Sequence, residues 1–170
     1  MIPESAGATP YGIFLLADDY LSAASAVMDH ARIGPAPVRL LAFHAAELFL
    51  KTYMRSAGQT IEALRSLGHD LEAMIEGAQS LGLILPPQVL AQSRKLTRKN
   101  DYVRVRYVVV DNRDDISEES VIRFCNTIRN SVVRALNLDE FGAPKGNHWL
   151  GALPSDYPSK NDEEVSWVQP

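Results

Sequence analysis

"RLLAFHAAELFLKTYM", residues 39–54, is the stretch on which the reading of the whole chain turns. Leu, Phe, Ala, Tyr and Met cover most of its helical circumference. The polar residues His44, Glu47 and Lys51, continued by Arg55, fall into one stripe roughly a quarter of the circumference wide at about 100° per residue. A helix apolar on so many sides needs neighbours on most of them, so it is predicted as the central helix of a bundle. The stripe has two readings. It can be a solvent seam, in which Glu47 and Lys51 form an i,i+4 pair worth about 0.3 kcal/mol. It can also be a ligand pair, His44 and Glu47 at i,i+3, the mirror of the Glu-x-x-His arrangement of di-iron bundles. Such sites need further carboxylates and a second pair on facing helices. "HDLE" repeats the spacing with His69 and Glu72, but at a helix start and without those glutamates, so no metal site is expected.

Outward from this helix, the spacing of apolar residues predicts four more. Residues 11–33 align Phe14, Leu21, Ala24, Met28 and Ala31 on one face, and the helix is expected to end near Gly34-Pro35-Ala36-Pro37. Pro37 then opens the central helix, 37–55, at a position where its missing N–H costs nothing. A third helix fits residues 69–81: Asp70 and Glu72 suit the positive end of its dipole, and Leu71, Met74, Ile75 and Ala78 form its apolar face. "PQVLAQSRKLTRKNDY" starts a fourth at Pro87, with Val89, Leu90 and Leu96 inward. Ser117, followed by Glu118 and Glu119, starts a fifth over 118–137, with Val121, Phe124, Cys125, Ile128, Val132 and Leu136 inward. "YVRVRYVVV", 102–110, alternates like a strand but has no partner strand, and is expected to be extended or irregular.

The predicted fold class is therefore all-α, an antiparallel up-and-down helical bundle of four to five helices. Residues 1–137 form the bundle, and the Pro/Gly-rich residues 138–170 form an irregular tail. At 170 residues and 46% hydrophobic content, one core is the expectation. The single Cys125 makes no intrachain disulfide, and the start MIPESAGATP lacks the pattern of a secretion signal, which points to the cytoplasm. Apolar runs such as "GIFLLA" stop at charges well short of a membrane span, so no membrane contact is expected. No cofactor is implied.

The net charge of −4 gives no global attraction to nucleic acid, but its distribution is uneven. Arg94, Lys95, Arg98, Lys99, Arg104 and Arg106 stand against Asp101 alone, so residues 94–107 carry +5 and the rest of the chain −9. Tyr102 and Tyr107 are interleaved with the arginines, so phosphate contacts and base stacking can share one surface. The alternative is a solvated helix end, where cations are favoured by the dipole in any case. The last helix adds "RNSVVR", with Arg129, Asn130 and Arg134.

Taken in order, "AFHAAELFLKTYM", "LGHDLEAMIEGA" and "YVRVRY" resemble the HEPN domain (higher eukaryotes and prokaryotes nucleotide-binding), in the branch where an A-E-x-x-x-K helix precedes an H-D-L helix start. The matching residues are Ala46, Glu47 and Lys51, then His69, Asp70 and Leu71, with Arg106-Tyr107 as the Arg-Tyr element. The similarity covers roughly residues 11–137. The resemblance implies a HEPN-like bundle, usually a homodimer, found beside minimal nucleotidyltransferases or in RNA-targeting toxin–antitoxin and defence systems. Many members are metal-independent ribonucleases built on Arg-x(4–6)-His with a polar residue directly after the arginine. Arg129 and Asn130 match the first half, but Arg134 holds the histidine position, and an arginine cannot exchange a proton near neutral pH. Arg39 and His44 also satisfy the spacing, but in the wrong helix and in a pattern loose enough to occur by chance.

The expectation is thus an RNA- or nucleotide-binding protein with little nuclease activity. Arg129, Asn130 and Arg134 would face a cleft, and Arg104 and Arg106, with Arg98, Lys99 and Tyr102, would contact nucleic acid. The alternatives are a metal-independent endoribonuclease using His44 or His69 with Arg39 or Arg129, and a pure protein-interaction bundle.

Overall fold

The structure is a computed structural model, and it describes residues 9–28, 30, 32–98, 117–139 and 145, with only the backbone of 96–98. Six helices pack against one another, and no strand is formed among the described residues. Helix α1 spans Pro10–Met28, α2 Pro35–Ser56, α3 Ile61–Ser66, α4 Leu71–Ser80, α5 Pro87–Arg98 and α6 Glu118–Ala135.

The helix starts follow from local chemistry. Thr9 Oγ1 accepts from the Gly12 N–H, Thr60 from Ala63, Asp70 from Ala73 and Ser117 from Ser120, each capping a donor that its helix leaves unpaired. Helix α2 opens on Pro35, two residues before the predicted Pro37, because both prolines fit in a first turn that needs no N–H. It closes at Gly58, whose φ of +93° allows the Gln59 N–H to reach back to the Met54 carbonyl. Helix α1 is shorter than predicted. It stops at Met28 rather than Ile33, because the His30 N–H turns back to the Val27 carbonyl and the His30 ring accepts from the Arg32 N–H, offering the backbone a local alternative to the helix. Helix α3, absent from the sequence reading, is a six-residue element that buries only Leu64.

Helix α2 is central: α1, α3, α4 and α6 all pack on it, and α5 bridges α4 and α6. Phe14 meets Phe49 and Tyr20 meets His44, so residues ascending in α1 meet residues descending in α2, and the two helices run antiparallel. The core draws Phe14, Leu21 and Ala24 from α1, Ala42, Phe43, Ala46, Phe49 and Leu50 from α2, the four predicted residues of α4, and Val121, Phe124, Cys125, Ile128 and Val132 from α6. Gly77 of α4 sits directly on Met54: a Cβ there would lie 3.1 Å from Met54 Cε, so the α2–α4 approach depends on the missing side chain. No helix among the described residues is long and apolar enough to cross a membrane.

Candidate functional site

The polar stripe of α2 is not a solvent seam. Glu47 and Arg55 are fully buried: the α3–α4 turn folds over Glu47 and supplies His69 as its partner, and Arg55 Nη1 donates to the Gln59 carbonyl in the α2–α3 connection at 3.0 Å. Gly68, at φ +56°, bends the chain, and Asp70 caps α4, so His69 is held between them. Its Nδ1 lies 3.1 Å from Glu47 Oε2 and 3.2 Å from Oε1. His44, one turn earlier on α2, brings its own Nδ1 to 3.6 Å from Oε2, and its ring stands edge-to-face on Tyr20 of α1 at 4.5 Å. Lys51, one turn later, donates to the Gly68 carbonyl at 3.2 Å rather than serving the predicted pair with Glu47. A buried carboxylate is tolerated where hydrogen bonds and opposite charge replace its hydration, and here two imidazoles take that position.

The carboxylate side chain is 1% exposed, whereas the His44 and His69 side chains are 32% and 47% exposed. Both rings therefore run from a buried oxygen to the surface. An imidazole that gives its Nδ1 hydrogen to a carboxylate keeps Nε2 as its acceptor, the tautomer needed to take a proton from a substrate. No group of three or more His, Cys, Asp or Glu side chains among the described residues is arranged to hold a metal ion.

The last-helix residues are placed differently from the expectation of a shared cleft. Arg129 Nε donates to Asp18 Oδ1 at 2.5 Å and its Nη2 to Oδ2 at 2.9 Å, a bidentate ion pair that ties α6 to α1. Its guanidinium also lies over the Phe14 ring, 5.6 Å from the centroid. The Asp18 bond, followed by its charge, outweighs partial burial and holds Arg129 still more firmly protonated than an ordinary arginine. Asn130 and Arg134 are exposed, and Arg134 Nε donates back to the Asn130 carbonyl at 3.2 Å. Five residues on a helix rotate a side chain by about 140°, which is why Arg129 and Arg134 do not share a face. Asp18, which decides the setting of Arg129, was not singled out in the sequence. The available signal was an acid in the apolar run "GIFLLADDYL".

Of the basic segment, Arg94 is described, and it pairs with Glu72 at 2.8 Å and reaches Glu76 at 3.8 Å, so part of the positive charge is answered by α4. Lys95 is exposed. Arg98 closes α5, with its side chain outside the described residues. Lys99, Tyr102, Arg104 and Arg106 lie outside the described residues, as do the extended segment 102–110, the Arg106-Tyr107 element and nearly all of the tail.

Comparison of the chain with protein-family models, with curated proteins and with solved structures returns no match.

Proposed function

We propose that the chain is a HEPN-like protein that binds RNA or a nucleotide as a homodimer. On this reading it acts beside a minimal nucleotidyltransferase in a toxin–antitoxin or defence-type setting, and its last helix contributes little nuclease chemistry. The observation that carries the reading is the meeting of two separate motif segments: Glu47 of A-E-x-x-x-K bonds His69 of H-D-L, 22 residues away, and Lys51 bonds Gly68, 17 residues away. The motif residues are scattered along the chain, and a contact between them gives their spacing a physical reason.

The weak-nuclease part is supported by Arg129. Its guanidinium is committed to Asp18, and Arg134, at the histidine position of the family pattern, carries no exchangeable proton near neutral pH. For the dimer, Leu15 and Leu16 of α1 are 42% and 47% exposed and offer a second copy an apolar contact.

Arg104 and Arg106 are the proposed phosphate contacts. Arg104→Ala combined with Arg106→Ala should weaken binding of a single-stranded oligoribonucleotide and lower the slope of log affinity against log salt by about 1.4, the loss of two neutralised phosphates. A titration at several salt concentrations measures both. Unchanged affinity and slope would remove these arginines from the interface.

A further inference from the structure

The geometry points to the exposed leucines of α1, Leu15 and Leu16, as the docking face for the chain's own tail: residues 146–150, "GNHWL", which lie beyond the described residues, with Trp149 laid along the seam between α1 and α6. The docked tail does not depend on the homodimer reading, but a second copy that uses these leucines has to displace it.

The tail's point of departure is set by the end of α6. The helix closes at Ala135, and Asn137, at φ +51°, turns the chain so that the Leu138 N–H bonds the Val133 carbonyl at 2.9 Å. Leu136 and Leu138 are buried, and with Tyr11 and Phe14 of α1 they line one recess. The Lys145 N–H donates to the Asn137 carbonyl at 3.3 Å, which returns residue 145 to the same place. The tail therefore sets out from beside Tyr11.

Tyr11, Leu15 and Asp18 follow one another at the i, i+4, i+7 spacing that stacks side chains on one flank of a helix. That flank faces α6, because Asp18 bonds Arg129. Leu15 is 42% exposed on it, and the neighbouring Leu16 is 47% exposed. Four residues carry the chain from Lys145 to Trp149 and span at most about 14 Å, whereas Tyr11 and Leu15 are about 6 Å apart along the helix. Trp149 is within reach of Leu15, and an indole brings the largest apolar surface a single side chain can lay on two leucines. There it also borders the partly exposed Asp18–Arg129 pair and shields it from solvent and salt. The short tether decides between the tail and a second copy. It presents Trp149 at an effective concentration in the millimolar range, so a second copy at micromolar concentration must bind these leucines roughly 1000-fold more tightly to take them.

The test uses the fluorescence of the full chain. It has two tryptophans, so Trp167→Phe leaves Trp149 as the only one. In that background the emission of Trp149 should lie to the blue of a hydrated indole, and its quenching by acrylamide should be severalfold weaker. Both should be the same in dilute and in concentrated protein. Adding Leu15→Ser and Leu16→Ser should move the emission to the red and restore quenching. The thermal midpoint should stay within a few degrees, because both positions are exposed.

A fully hydrated Trp149 in the folded chain overturns the proposal, as does protection that survives Leu15→Ser with Leu16→Ser, which seats the indole elsewhere. Protection that appears only as the protein is concentrated and its mass doubles gives the face to a second copy and overturns it as well. Protection in a chain that stays monomeric at every concentration sinks the homodimer reading and leaves the docked tail standing.

Discussion

Phe49→Ala is expected to remove about 3–5 kcal/mol of folding stability, the largest loss at any single position considered. Phe49 is fully buried at the place where α1 crosses α2, with its ring edge-on to Phe14 at 5.3 Å and 61°. Phe14 lies in turn beneath the guanidinium of Arg129, so one ring supports an aromatic pair and, through it, the surface that carries the Asp18–Arg129 bond. Truncation to alanine loses the transfer energy of the ring and leaves a hole that rigid helices close only in part. Against a total stability of about 5–15 kcal/mol, this brings the chain near its threshold. With a urea dependence of about 1–3 kcal/mol per molar, the midpoint should fall by about 2 M.

Cys125 gives a direct measurement of that loss. It is buried, and burial, reinforced by the charge of Asp18, pushes its thiol well above the ordinary thiol range, so the folded chain presents almost no thiolate to an alkylating reagent. Labelling should therefore follow unfolding. Leu15→Ala, at an exposed position on the same α1, should leave the midpoint nearly unchanged, and an equal shift in both variants would contradict the assignment of Phe49 to the core.

What the sequence made legible and what it hid divide along one physical line. Apolar spacing within a helix is a local property, and it placed the inward faces of α4 and α6 residue by residue: Leu71, Met74, Ile75 and Ala78, then Val121, Phe124, Cys125, Ile128, Val132 and Leu136 are all buried. Local spacing also identified the stripe His44, Glu47, Lys51 and Arg55, but what covers a stripe is decided by another part of the chain. Glu47 is buried because a turn 22 residues away returns over it, and Arg129 is neutralised by a carboxylate 111 residues away. Neither partner is announced by periodicity. Helix α3 escaped because six residues are too few to show a period. Its one legible sign is Thr60, which caps it.

Glu47 separates a structural tie from a positioning role. Glu47→Ala should cost about 2–3 kcal/mol, since it removes hydrogen bonds made to an ionised group and leaves a small hole, partly offset by release from burying a charge. Glu47→Gln keeps the volume and one acceptor oxygen, and should cost less than about 1 kcal/mol. Its effect on the His69 ring should be larger: wherever the amide N–H takes the place of the oxygen nearest Nδ1, the imidazole hydrogen moves to Nε2. The ring nitrogens of His69 report this directly by NMR: Nδ1 should carry the hydrogen in the wild-type chain and Nε2 in Glu47→Gln. A variant that keeps its stability and exchanges its tautomer shows that Glu47 sets the orientation of the His69 ring. If the hydrogen stays on Nδ1, Glu47 serves only to fasten the α3–α4 turn to α2.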